Sequence, residues 1–576
     1  MKQRSRRKFL TDLGLTVGAL TLAGEVVNAL PPFTQQKEGA RRVRPKPVTI
    51  QTDAIDFRYA PNFWQSTYCF PDDPYKSLVG KNGELLYGHP GIGAELDFFP
   101  QIVTVGVRDA GEPKFVDQKL ESPGIPIITT TLEFNGILVT LTSFATNHGD
   151  EGRVDNLLIQ VRPKEKPEVD CIPEIVINSK NDFWLKTEDD RGRVHFDSES
   201  GKLFLAVGSP LNAEGAAPLR RYGLRRGIST QAKPLEYFLR FPQAGQPLDK
   251  IEDRLSVDAI PDLLDEVRKF WQGINPGNAK VIWNLPDDYG KFHAACVRNM
   301  LQSREIKDGK RVYQVGPTVY RGFWFIDGTF LIEAARYSGF DKEAQECLEW
   351  MWDRQQSDGS FAGGAGEAHW KDTAAPVYAL VREAELKQNW DHFRELYPDA
   401  VKAMVHLKDL RDKAVNDGTA NGKYKLLPRG YGDSGLGGIR SELTNTLWAL
   451  IALRHLNDVA KRLFLPRRDE ISIFYDDLRL NFRNAIREEM RKHPNGFSYL
   501  PMLMKDDPQW SEPDVRKQPR PQAAQIYLSQ AIYPGLVASG DVGHVELMQA
   551  VTQEDIPIET GWMKEEAVWT YNGAVV

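Results

Sequence analysis

Between about residue 48 and residue 245, apolar and polar positions alternate along short runs: PVTIQTDAIDFRY, DFFPQIVTVGVRD, PIITTTLEFNGILVTLTSFAT, DNLLIQVRP, KLFLAVG and LEYFLRFP. Successive residues of a strand point to opposite faces, so period-2 runs rich in β-branched and aromatic types predict half-buried strands. Gly, Pro, Asn and Asp interrupt the runs, which predicts an antiparallel β-sandwich over 48–250. Glu133-Phe134-Asn135-Gly136-Ile137 sets Asn-Gly between two such runs, the pair favoured where a two-residue hairpin turn needs positive φ.

Beyond about residue 255 the period becomes helical. Tyr289, Phe292, Cys296 and Met300 form one stripe; Ala344, Cys347, Leu348, Met351 and Trp352 form another. Ile471, Phe474, Tyr475, Leu478, Phe482, Ala485 and Ile486 form the clearest. Residues 251–285 read as a linker with a helix, and helices are predicted over 327–340, 374–387, 391–412, 442–462, 522–534 and 541–552, with another starting near 566. No strand pattern recurs between them, which excludes a βαβ fold. Short and long connections alternate, as in helical hairpins packed in a ring over 286–576, with the long loops on one rim.

Those long loops, 305–326, 357–373, 414–441, 494–521 and 553–565, hold the chemistry-bearing stretches FWFID, GAGEAHWKD, GYGDSG, FSYLPM and ETGWMKEE. PRGYGDSGLGGIRSE, 428–442, carries five glycines, each of which costs chain entropy to order and lets backbone approach a ligand. Asp433 lies among them beside Tyr431. Glu442 and its neighbour Ser441 stand where a helix begins and suit a capping role. Asp327, with Trp324 close by, reads equally as a helix cap or as an acceptor for hydroxyl groups. Glu367 lies beside His369 and Trp370; Asp372 reads as a cap, and His369 and His406 as surface or capping residues.

A sandwich followed by helical hairpins resembles the six-hairpin glycosidases, among them glucoamylases, trehalases, maltose phosphorylases and α-rhamnosidases. YRGFWFIDGTFLIEAARYSG (320–339), CLEWMWDRQQSDGSF (347–361) and RGYGDSG followed by ELTNTLWALIALRHL are the stretches that carry the resemblance. It implies an (α/α)6 toroid and a carbohydrate substrate cleaved by two carboxyl groups, roughly 6.5–9.5 Å apart when the outcome is inversion. By that resemblance Asp433 is the expected general acid, with Glu367 the second candidate. Trp324, Asp327, Trp370 and Tyr431 are the expected sugar-binding residues. The base is expected near the end of the chain, where GWMKEEAVWTYNGAVV offers Glu566 (Glu559 and Glu565 nearby), with Trp562 and Trp569 as stacking surfaces. The sequence ends inside an apolar stretch after about ten of the twelve helices such a ring needs, so the toroid is expected to be incomplete at its C-terminus.

Net charge of −6 over 576 residues weighs against a nucleic-acid partner, which needs a basic surface. The four cysteines are far apart, with no metal-ligand spacing, so neither a disulfide framework nor a zinc site is expected, nor any other cofactor; Cys296 and Cys347 read as core residues. Ser5-Arg6-Arg7-Lys8-Phe9-Leu10, an apolar run from Leu13 to Leu22 and Val27-Asn28-Ala29 resemble a twin-arginine export signal over 1–29, with a proline-rich linker over 30–47. The apolar run is too short for a stable membrane anchor. The expected partners are the export machinery and an oligo- or polysaccharide, and the expected location is periplasmic or secreted. The expected activity is hydrolysis of α-linked glycosides; a phosphorylase or a non-catalytic sugar-binding protein of the same fold is the alternative.

Overall fold

A computed structural model describes residues 64–87, 101–165, 168–179, 183–188, 192–197, 203–207, 212–216, 219–223, 226–229, 232–243, 248–274, 287–317, 321–361, 368–431, 438–492, 498–499, 503–508, 563–564 and 567–568. The chain divides into residues 1–55 and a compact unit Asp56–Val576, and every described residue lies in the latter.

The alternating half forms two antiparallel sheets. One runs in the order Gln65–Thr67, Leu78–Gly80, Leu85–Tyr87, Gln101–Val107, Pro173–Ser179, Leu219–Gly223, Asn212–Ala216. The other runs Phe183–Glu188, Gly192–Asp197, Leu203–Val207, Leu235–Pro242, Gly152–Pro163, Ile137–His148, Ile125–Phe134, Lys114–Ser122. Val103 and Val105 of the first sheet share an apolar core with Val139, Leu141, Leu157 and Ile159 of the second, each buried at the inward position of its strand. Asn135 and Gly136 sit at φ 46° and 84° and reverse the chain between Ile125–Phe134 and Ile137–His148, as the sequence predicts.

The second half is helical, with nine helices among the described residues. Helix α1 (Ile260–Ile274) buries Ile260, Leu263, Val267 and Trp271 in one core with Ile127, Phe144, Leu158 and Phe238, which lie on the outer face of the eight-stranded sheet. After α2 (Asp287–Ser303), the array continues as α3 (Phe325–Tyr337), α4 (Asp341–Trp352), α5 (Lys371–Lys387), α6 (Trp390–Ala414), the short α7 (Ala420–Lys423), α8 (Thr444–Arg462) and α9 (Arg468–Glu489). Contacts between α3, α5 and α8 keep one register. Thr329 Oγ1 lies 3.3 Å from the Ala375 carbonyl, Phe330 meets Trp448, and Lys371 bonds Asn445. The three helices therefore run parallel, with their N-terminal ends together. Helices α5 and α8 are buried almost all round, whereas α9 has one buried stripe. Antiparallel return helices follow: Ser472 at the start of α9 bonds Asn457 near the end of α8, and Trp350 near the end of α4 packs on Phe323 ahead of α3.

Two expectations are corrected. Of the expected stripe Met300 is buried, but Tyr289, Phe292 and Cys296 are exposed, and α2 buries Val297 and Leu301 beside Met300 instead. The buried face is turned by one residue, about 100°, from the stripe that hydrophobicity picks out. Near residue 566 a helix is expected, yet Met563–Lys564 pairs antiparallel with Ala567–Val568. Val568 opens a run of β-branched and aromatic residues, Val-Trp-Thr-Tyr, that favours a strand. The predicted helices 522–534 and 541–552 lie outside the described residues.

Candidate active site

The parallel arrangement of α3, α5 and α8 puts the segments that enter them at one end of the array. Trp324 is the residue before α3, and Asp327 falls in its first turn rather than at its cap, because the helix starts two residues earlier than predicted. Gly328 is needed there: a Cβ would stand 2.3 Å from the Phe323 ring, which folds back over the helix start.

The segment before α5 is tied to the one before α8. The Tyr431 N–H donates to the Ala368 carbonyl at 3.0 Å, and Trp370 Nε1 donates to the Arg429 carbonyl at 3.1 Å. The His369 and Tyr431 rings stack with centroids 4.3 Å apart. His369 is thus a buried stacking residue, not a surface or capping one, because Tyr431 covers it. Gly430 and Tyr431 pair antiparallel with Arg440 and Ile439. A side chain at Gly430 would meet Asn445 Nδ2 at 2.3 Å and the Ala368 carbonyl at 2.9 Å, so a glycine is what lets the two segments touch.

Beneath this contact lies a buried polar cluster. Lys371 and Glu442 are 2% and 1% exposed. The Lys371 N–H donates to Asn445 Oδ1 at 2.9 Å, and its Nζ lies 3.4 Å from the Tyr431 carbonyl. Glu442 Oε2 accepts from the Thr444 N–H at 2.6 Å and from the Thr444 hydroxyl; Oε1 accepts from the Asn445 N–H at 3.2 Å and from Asn445 Nδ2. Glu442 thus caps α8, in place of Ser441, whose N–H donates to Asp507 Oδ2 and whose carbonyl accepts from Met504. Burial holds the Glu442 carboxyl above the ordinary range; the Lys371 charge and the bonds from Thr444 and Asn445 pull it back down. Neither Lys371 nor Asn445 belongs to a sequence motif. One signal was available: a lysine at the first position of a helix opposes the dipole and calls for a compensating carboxylate.

The segments that carry Trp370 and Tyr431 are bonded to each other, and Trp324 and Asp327 stand at the same end of the neighbouring parallel helix. Asp433, Glu367, Glu566, Trp562, Trp569, Arg6 and Arg7 lie outside the described residues. Asp372 sits in the first turn of α5 and is buried, not at its cap, because the helix begins at Lys371. His406 Nδ1 lies 3.4 Å from Asp358 Oδ2. Among the described residues no group of three or more His, Cys, Asp or Glu is placed to hold a metal ion, and no helix is long and apolar enough to cross a membrane.

No protein-family model matches the chain, and no curated protein matches it in sequence. Solved structures do match in fold, 87 chains in all. A bacterial glucoamylase complexed with acarbose superposes with a TM-score of 0.51 and 11% identity over 87% of this chain and 82% of its own. A presumed kojibiose phosphorylase from the human microbiome gives a TM-score of 0.36 at 11% identity, over 74% of this chain and 63% of its own. The chain therefore shares the fold of the glucoamylase: a β domain of antiparallel sheets followed by a helical domain.

Proposed function

We propose, from the fold shared with a glucoamylase, that the chain is a glycoside hydrolase acting on α-linked glycosides, with its sugar site at the N-terminal end of α3, α5 and α8. The observation that carries the reading is the joining of the Trp370 and Tyr431 segments at that end, beside the start of α3 with Trp324 and Asp327. Aromatic rings there suit the apolar faces of a sugar, and carboxylates suit its hydroxyl groups. The full ring, an (α/α)6 toroid, belongs to the same proposal.

Asp433, two residues beyond Tyr431 in sequence, is assigned as the general acid that protonates the leaving glycosidic oxygen. A water activated by a second carboxylate attacks the anomeric carbon from the opposite face, giving inversion. Glu566 is the proposed base, and Glu367 is the second candidate for the acid. Trp562 and Trp569 are proposed to stack on the substrate. Arg6 and Arg7 are proposed to direct export to the periplasm or medium; replacing both with lysine should leave the product in the cytoplasmic fraction.

The test is turnover on a panel of α- and β-linked oligosaccharides, with and without inorganic phosphate. Wild type should release free sugar from α-linked members without phosphate, and Asp433→Asn should be slower by about 100-fold or more. An undiminished variant rejects Asp433 as the acid. Turnover that requires phosphate favours a phosphorylase, and sugar binding without turnover favours a non-catalytic binding protein.

A further inference from the structure

A cavity lies apart from the segments that enter α3 and α5. It is open to solvent, has a volume of about 610 Å³ and is lined by Lys423, Tyr424, Glu488, Glu489, Lys505 and Asp506, among others. That volume lies within the usual range of small-molecule sites, roughly 300–1,000 Å³. It opens where α6 ends at Ala414 and α9 ends at Glu489, the ends of the return helices that lie beside the start of α8.

Its wall is built and held, not a loose surface dent. The Tyr424 hydroxyl lies 2.8 Å from Glu488 Oε2 and 3.1 Å from Glu489 Oε1, bridging two neighbouring carboxylates. The Lys505 N–H donates to the buried Glu489 Oε2 at 2.7 Å, and the Ala420 N–H donates to Asp506 Oδ2 at 2.7 Å. Glu488 and Lys423 remain largely exposed and 3.6 Å apart, so an acceptor and a donor stand side by side at the mouth. Burial, together with Glu488 and Glu489, holds the Tyr424 phenol well above its ordinary value, which keeps the ring neutral.

The balance of charge selects the ligand. Three carboxylates and two helix C-termini oppose an anion. Two ammonium groups oppose a bare cation. What remains favoured is a neutral, polyhydroxylated molecule that donates to the carboxylates, accepts from the lysines and lays an apolar face near a half-buried ring.

The same segments underpin the proposed sugar site. Asn421, next to Ala420, donates from Nδ2 to the Glu442 carbonyl at 3.1 Å, and Asp507, next to Asp506, accepts from the Ser441 N–H at 3.2 Å. Both places thus lie at the end of the array where α8 starts. We infer that the Tyr424–Glu488–Asp506 cavity is an accessory subsite for a neutral oligosaccharide, set apart from the reacting bond and holding the distal part of a long substrate. The inference rests on the functional reading above.

The test is hydrogen–deuterium exchange of the full chain with maltoheptaose, paired with calorimetric titration of the same sugar. Amides in 415–424 and 485–490 should slow, as should those in 429–445. Glu488→Gln, at an exposed carboxylate, and Tyr424→Ala should each abolish the slowing in 415–424 and weaken binding by about tenfold. They should leave the slowing in 429–445 in place. Should Tyr424→Ala fail to fold, Glu488→Gln alone decides. Slowing confined to 429–445, or slowing in 415–424 that both variants retain, overturns the subsite and leaves the functional reading standing. Slowing confined to 415–424 and lost in the variants supports the subsite and counts against the sugar site at 429–445. No slowing anywhere overturns both.

Discussion

Two glycines separate two reasons for needing that residue. Gly430 sits where a Cβ would run into the Ala368 carbonyl, a backbone atom that cannot swing away. Gly430→Ala should therefore cost about 1–3 kcal/mol in urea unfolding. A cost below about 0.5 kcal/mol would show the two segments to be loosely joined. Glu442 adds a pH signature. Its folded carboxyl is raised above the unfolded value by burial, so the folded state binds more protons from about pH 4.3 upward, where an ordinary Glu titrates. Its contribution is present at low pH and fades as pH rises through the folded value. Thermal midpoints measured from pH 4 to 7 should fall more steeply for wild type than for Glu442→Gln; parallel curves would show that the carboxyl is not raised.

At the scale of elements, pattern and structure agree where a local rule suffices. The Asn135-Gly136 hairpin follows from turn chemistry alone. Gly136, at φ 84° with open space around it, should lose about 1 kcal/mol on Gly136→Ala through backbone strain and not through a clash. Chemical denaturation would check this, and a loss as large as that of Gly430→Ala would point to unseen packing. Helix α2 shows where the local rule fails. Its Tyr289–Phe292–Cys296 stripe is apolar but exposed, because helix periodicity says that a face is apolar without saying which neighbour covers it. Helix starts differ from the predicted ones by two or three residues at α3, α5 and α8, where the cap residues Trp324, Trp370 and Leu443 make no side-chain cap bond and so leave no local mark.

At the scale of the whole molecule, the sheets and the helical array are clamped through the end of α2. Asp72 holds Arg304 in two bonds of 2.6 and 2.8 Å, and Lys76 Nζ donates to the Gln302 and Arg304 carbonyls at 2.8 and 3.0 Å. Gln302 Nε2 in turn donates to the Cys69 carbonyl at 2.9 Å. Lys76 is buried, which lowers its ammonium pKa, but it takes the place of the missing donors for the helix C-terminus. Asp72→Ala leaves the Arg304 guanidinium, 5% exposed, without its carboxylate. It should destabilise by about 3 kcal/mol and separate the unfolding of sheets and helices into two transitions. A single transition with an unchanged midpoint would remove this clamp from the account.

The sequence by itself determined the two periods, the antiparallel character of the strands, the hairpin at Asn135-Gly136, and the glycine-rich stretch ahead of α8. These are local consequences of side-chain alternation, helical pitch and turn geometry. Tertiary structure alone decided that Trp370 reaches the Arg429 carbonyl across 59 positions of sequence, that His369 is buried under the Tyr431 ring, that Glu442 caps α8 opposite Lys371, and that Tyr424 joins Glu488 and Glu489 around a cavity. Each of these joins residues far apart in the chain. Burial and charge pairing depend on what packs from elsewhere, and no period along a sequence encodes that.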